Sequence, residues 1–176
     1  LMENPRPFIV FTYHAGNFEL LPIVANRFGL KVSALFRPPN NKYIAQHLLK
    51  TRGAHMDDLV ASKAGSAWTL AQKLEKVINK GVATTFFGRK VMTNPLVPKL
   101  ARHYECELFP ARCVRLDNGK FKIELEPAIS PARDDKGYIE IAGTCQILND
   151  KVESWVREYP DQWQWFHDRW QIKDKI

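Results

Sequence analysis

In His14-Ala15-Gly16-Asn17-Phe18-Glu19, a base and a carboxylate stand five positions apart. An imidazole that accepts a proton, beside a carboxylate that holds its tautomer and stabilises its cation, is the base-and-orienter half of a triad. On one continuous helix, five positions amount to about 500°, so the two side chains diverge by roughly 140°. The pair works only if His14 stands in a loop ahead of a helix. Gly16 lets the backbone turn. Asn17 is a good N-cap, which puts Glu19 at the second helical position, where the helix dipole favours a carboxylate. No serine or cysteine stands beside His14, so chemistry here would draw on a hydroxyl of the substrate. Spacing alone favours the plainer alternative, a loop histidine followed by a carboxylate at a helix start.

Three other stretches carry groups that bind anions or apolar chains. Arg37 opens Arg37-Pro38-Pro39-Asn40-Asn41 and can grip a phosphate through two parallel N–H bonds. A proline-stiffened turn accounts for the same residues. Residues 86–95, FFGRKVMTNP, read as a strand-to-helix loop in which Arg89, Lys90 and the helix start at Asn94 together make an anion site. Phe86 and Phe87 suit an apolar chain or a membrane surface if exposed, and the core if buried. Residues 159–170, YPDQWQWFHDRW, hold three of the five tryptophans, interleaved with His167 and Arg169 and preceded by Arg157. Such a segment docks at a bilayer interface or stacks on bases, or it is a packed terminal helix.

The elements that must position these groups alternate. Residues 8–13 read as a buried strand and 18–29 as a helix with Pro22 in its first turn and Gly29 as its stop. A strand at 30–37, a helix at 41–53, a short strand at 57–62, a helix at 64–81 and a strand at 82–87 follow. Asn94 and Pro95 open a helix over 94–105. Strands at 106–116 and 120–129 flank Asp117-Asn118-Gly119, a hairpin turn. A long helix covers 139–159. This order predicts an α/β fold, a mostly parallel central sheet flanked by helices with an antiparallel hairpin. Ligands of such sheets bind beyond the carboxyl ends of the strands, so the loops bearing His14, Arg37 and Arg89 are expected on one rim.

Bulk properties set the class. The chain has 176 residues, 45% hydrophobic and 26% charged, which suits one domain with a real core. Its net charge of +7 calls for an anionic partner: nucleic acid, an anionic membrane surface, or phosphorylated and acidic substrates. Cys106, Cys113 and Cys145 form no CxxC pair, so neither a disulfide framework nor a zinc site is indicated and a reducing compartment is the simpler reading. There is no run of about 18 apolar residues, and the first residues, without a basic start or a long apolar core, are not expected to be a signal peptide. The chain opens almost directly on a strand, as a piece of a longer protein would.

Taken in order, HAGNFE, LFRPPNN, FFGRKVMTNPLVPKLAR and YPDQWQWFHDRW resemble the lysophospholipid-acyltransferase-like family. Within it they are most similar to the bacterial lipid A biosynthesis late acyltransferases, the lauroyl and myristoyl enzymes. The resemblance spans nearly the whole chain. It implies a glycerol-3-phosphate-acyltransferase-like fold in a single catalytic domain at the cytoplasmic face of the bacterial inner membrane. The implied reaction moves an acyl group from acyl carrier protein to the hydroxyl of a 3-hydroxyacyl chain on a Kdo-bearing lipid A precursor, with no acyl-enzyme, metal or cofactor. His14 takes the proton from the acceptor hydroxyl and Glu19 orients His14. Arg37 and Arg89 serve substrate phosphate or the oxyanion, with Asn17, Asn41, Lys90 and Asn94 as further substrate-binding residues. Carrier protein, lipid A precursor and an anionic leaflet then account for the +7 charge. A glycerophospholipid acyltransferase and a non-catalytic anionic-lipid-binding relative are the alternatives, whereas nucleic-acid binding explains none of the four blocks.

Two departures from the family pattern stand out. Its N-terminal membrane anchor is expected to lie outside this chain. A strand and a loop with an acidic motif, usual before FFGR, are missing, which points to a segment absent near residues 77–79.

Overall fold

A computed structural model describes residues 7–30, 32, 41–53, 81–165 and 168–170. The elements are β1 (Phe8–Phe11), α1 (Leu20–Arg27), α2 (Lys42–Gly53), β2 (Val82–Phe86), β3 (Arg89–Thr93), α3 (Leu96–Tyr104), β4 (Glu107–Arg115), β5 (Phe121–Leu125), α4 (Ile141–Glu158) and a 3-10 turn, Pro160–Gln162. They fall into two compact units, residues 1–5 with 19–74 and residues 6–18 with 75–176. The expected strands at 30–37 and 57–62, the helix at 64–81 and residues 77–79 lie wholly or almost wholly outside the described residues.

In the smaller unit, α1 ends as its sequence demands. Gly29 takes φ +80°, Gly29 N–H donates to Asn26 O at 2.8 Å, and Leu30 N–H donates to Ala25 O at 3.1 Å. These are the paired bonds of a glycine-terminated helix. Helix α2 is capped by Asn41, whose Oδ1 accepts from Tyr43 N at 2.9 Å and Ile44 N at 3.4 Å.

The larger unit is built on β4, and each end of that strand has a different neighbour. Residues Glu107–Pro110 pair in parallel with β1, and residues Ala111–Arg115 pair antiparallel with β5. Pro110 stands at the changeover. Its carbonyl accepts from Glu126 N at 2.9 Å, on the β5 side, so the N–H that proline lacks also faces that side, just past the last β5 pair. The ladder to β1 therefore loses nothing, and a central strand tolerates a proline.

Two expectations are corrected here. Among the described residues the fold is mixed α/β, but the sheet is not mostly parallel: order β1-β4-β5 has one parallel and one antiparallel pair, and β2–β3 is a separate antiparallel pair. Parallel pairing needs a long crossover, and both antiparallel pairs are joined by tight turns. The stretch FFGRKVMTNP is not a strand-to-helix loop. It makes the β2–β3 hairpin, turning at Phe87 (φ +52°) and Gly88 (φ +71°). Two successive left-handed residues match the twist of a hairpin.

Helix α4 presents Thr144, Cys145, Leu148, Val152, Trp155 and Val156 at helical spacing to the sheet elements. Its start is capped by the Glu140 carboxylate, which accepts from the backbone N–H of Ala142 and Gly143. Trp155 and Val156 close the main core with Phe11, Tyr13 and Ala15, and Ala101, Leu108 and Ile139 form a second cluster. Among the described residues no helix is long and apolar enough to cross a membrane.

Carboxylates weld the sheet to α4. Arg112, 8% exposed, bonds Glu124 across the β4–β5 pair at 2.5 Å and Glu158 of α4 at 2.5 Å. Burial alone would push the Glu126 carboxyl up, yet hydrogen bonds from Lys151 and Trp155, with the charges of Lys151 and Arg112, hold it below its ordinary range. Hydrogen bonds from Lys122 and Arg112 outweigh burial and depress Glu124 likewise. A carboxyl with a folded pKa below its unfolded value of about 4.3 stabilises the fold above that value. That contribution is lost as pH falls through the folded pKa. Stability in urea should therefore drop between about pH 5 and pH 3. In Glu126→Gln the expected outcome is lower stability at pH 7 and a shallower fall over that acid range.

Candidate active site

The position of His14 follows from strand alternation that outlasts β1. Phe11, Tyr13 and Ala15 are buried, while Thr12 and His14 between them are exposed. Tyr13 anchors the pattern, its ring 5.2 Å from Trp155 and 5.7 Å from Trp163. With both neighbours turned inward, the imidazole of His14 faces out, 4.6 Å from the ring of Phe18.

The backbone of this loop is held by the segment after α4. Ala15 and Trp163 form an antiparallel bridge. Gln164 N–H donates to His14 O at 2.8 Å, and Gly16 N–H donates to Gln162 O at 3.1 Å. The Gln162 side chain fastens this strap to β4: its Oε1 accepts from Arg115 N at 2.8 Å and its Nε2 donates to Arg115 O at 2.9 Å. Gly16 takes φ +54°, and a Cβ there would fall well inside contact with the Cys113 carbonyl oxygen. Glycine is needed both for its dihedral and for the closeness of the two backbones.

Residues 16–19 form a turn and α1 begins at Leu20, with Glu19 at the N-cap making no side-chain cap bond. Asn17 is thus not the helix cap that its type predicts. It sits earlier in the turn, where its backbone hydrogen-bonds the Cys113 thiol, although burial still pushes that thiol up. The boundary between the two units falls between Phe18 and Glu19, so His14 belongs to the larger unit and Glu19 to the smaller.

The other expected site residues that are described sit on or beside several elements. Arg37 lies outside the described residues. Asn41 caps α2. Arg89 and Lys90 are exposed at the start of β3, opposite Phe86 and Thr85. Asn94 follows the far end of that strand, where its Oδ1 accepts from Leu96 N at 2.9 Å and caps α3. At about 3.3 Å per strand residue, Arg89 stands roughly 16 Å from Asn94. A single anion site made from Arg89, Lys90 and the helix start is therefore not assembled. Phe86 is fully buried and Phe87 half-buried beneath the Arg157 guanidinium, 4.7 Å from its ring, so the pair is not an exposed apolar surface.

Among its described residues the tryptophan segment is neither an α-helix nor wholly exposed. After the 3-10 turn residues 163–165 run extended, with Trp163 packed between Tyr13 and Phe86 while Trp165 is 57% exposed. His167 lies outside the described residues. Sequence reasoning passed over Gln162, whose type carries no signal of the two backbone bonds it makes to a strand 47 residues away.

An exposed imidazole on a pinned loop at a strand end can accept a proton from a bound hydroxyl. The family model described as bacterial lipid A biosynthesis acyltransferase matches residues 2–172. No curated protein matches the chain.

Gly16→Ala is expected to cost on the order of 1–3 kcal/mol in urea unfolding, because strain and a backbone clash coincide. Gly88→Ala is the control. It shares a positive φ but its added Cβ meets nothing within 4 Å, so its loss should be the smaller.

Proposed function

The chain belongs to the bacterial lipid A biosynthesis acyltransferase family, and from that premise we propose that it transfers a fatty acyl chain from acyl carrier protein to a hydroxyl of a 3-hydroxyacyl chain on a Kdo-lipid A precursor. The observation that carries the reading is the setting of His14, exposed on a loop whose backbone is tied to residues 162–164 and pressed onto β4. Catalysis by proton transfer needs a base held still, since a small misplacement of the reacting groups is costly.

In this mechanism the acceptor hydroxyl bonds to His14, which takes its proton as the oxygen attacks the thioester carbonyl. The carbonyl becomes an oxyanion, collapses, and expels the carrier-protein thiolate, which recovers the proton from His14. Glu19, at the N-cap of the following helix, orients the imidazole and stabilises its cationic form. No acyl-enzyme forms, consistent with the absence of a serine or cysteine next to His14. Arg37 and Arg89 bind substrate phosphate or the oxyanion, and Lys90, Asn17, Asn41 and Asn94 are further substrate contacts. The reaction takes place at the cytoplasmic face of the inner membrane, and the +7 net charge suits acidic carrier protein, lipid phosphates and an anionic leaflet. A glycerol-3-phosphate-acyltransferase-like arrangement of the whole catalytic domain accompanies this reading.

The test is acyl transfer from acyl carrier protein to the Kdo-lipid A precursor by the full-length protein. His14→Ala should lower kcat by about 10²–10⁴, the range for loss of a general base. Glu19→Gln should lower it less. Equal turnover by wild type and His14→Ala would sink the mechanism, and preference for a lysophospholipid acceptor would move the substrate to glycerophospholipids.

A further inference from the structure

Beyond the strap, the chain brings a cation back onto the β2–β3 hairpin. The Arg169 guanidinium carbon lies 4.4 Å from the centre of the buried Phe86 ring, and Nη2 donates to Asn149 Oδ1 at 2.6 Å. Beside it, Trp170 donates Nε1–H to Phe86 O at 3.2 Å and stacks on Phe86 and Trp165. Asn149 is itself locked. It is 3% exposed, and its Nδ2 reaches Thr84 Oγ1 and Thr93 Oγ1, each at 2.9 Å. A saturated buried amide thus sets the direction of the guanidinium from below, as a supporting shell does for a functional group.

Arg112 shows what full compensation of a buried arginine looks like here, with two carboxylates at 2.5 Å. Arg169 has none among the described residues. Its Nε is buried without a hydrogen-bond partner. Burial pushes its pKa down. The acids of α4 that come nearest in sequence to Asn149 are engaged elsewhere. Asp150 accepts from Gln146 at 2.7 Å, and Glu153 accepts from Phe87 N at 2.5 Å and binds Arg157. A part-buried guanidinium with an orphaned donor is costly, and a ring face returns only part of that cost. A bound anion would complete its charge pairing.

We propose that Arg169, aimed by Asn149 and seated on Phe86, is a phosphate-binding subsite that takes a phosphomonoester of the lipid acceptor. The identity of that lipid rests on the acyl-transfer reading; the anion chemistry does not. A planar, weakly hydrated fork suits phosphate. The half-exposed Trp165, stacked on Trp170 at 6.0 Å, supplies the amphipathic edge that a lipid headgroup region favours.

Because Trp170 and Trp165 adjoin the guanidinium, tryptophan fluorescence of the full chain reports occupancy without turnover. The protein is titrated with inorganic phosphate against chloride at matched ionic strength, and with phosphatidylcholine vesicles with and without phosphatidic acid. Wild type should respond to inorganic phosphate and to phosphatidic acid vesicles. Arg169→Gln should weaken both responses about tenfold or more, the scale of a lost charge-assisted contact. Asn149→Asp retains the arginine but sets a carboxylate against it, and should abolish the phosphate response. A response to inorganic phosphate alone would overturn the lipid assignment. A wild type that answers phosphate no more than chloride, or variants that bind as wild type does, would overturn the subsite. If either variant fails to fold, the wild-type titrations and the other variant decide. A retained phosphate response with no acyl transfer would remove the acyl-transfer reading and leave the subsite standing.

Discussion

Trp155 is the contact on which the larger unit turns. It is 2% exposed, lies against Phe11 and Tyr13, and donates its indole N–H to Glu126 at 2.7 Å. A fully buried tryptophan removes roughly 200 Å² from water, worth about 5 kcal/mol at the usual area coefficient. The hydrogen bond matters for a different reason, since an indole N–H buried without a partner would cancel part of that gain. The ring also lies within cation–π range of Arg112 and Lys151. One side chain therefore joins α4 to β1, to the carboxylate network of β4 and β5, and to the residue next to His14.

That joint explains how a loop histidine is aimed. Tyr13 has to face inward because Trp155 and Trp163 offer it a place to pack. Alternation then sends His14 outward at no further cost. Burial of the Tyr13 phenol pushes its pKa up to about 12, which keeps it neutral and passive beside the base. The same strap that supplies Trp163 closes the loop with backbone bonds, so packing and hydrogen bonding act on one short stretch from opposite sides.

Much of this was legible in the residues. Glycine at 29, the turn residues Asp117-Asn118-Gly119 and the helical stripe of α4 each state a local preference, and each appears where expected. The hairpin at Phe87-Gly88 was not legible. Phenylalanine seldom takes a positive φ, so the pair lacks the asparagine or aspartate that marks such turns. The hairpin sets Arg89 and Lys90 on a strand and places Phe86 in the core, and none of this follows from residue types alone. The Asn17 cap failed because Gly16 and the close approach to Cys113 extend the turn to Glu19 before the helix can start.

By itself the sequence determined the local elements, the need for His14 to stand outside a helix, and the ordered motifs by which the family is recognised. These depend on neighbours a few positions apart, where dihedral preference and periodicity act directly. Only the tertiary structure decided that β4 splits its pairing between a parallel and an antiparallel partner, that Gln162 holds the histidine loop, and that Arg112 is neutralised while Arg169 meets no carboxylate among the described residues. Each of those joins residues dozens of positions apart, such as Ala15 with Trp163 and Thr84 with Asn149. Their residue types permit the contact, but strand register and helix packing must be in place before the atoms can meet.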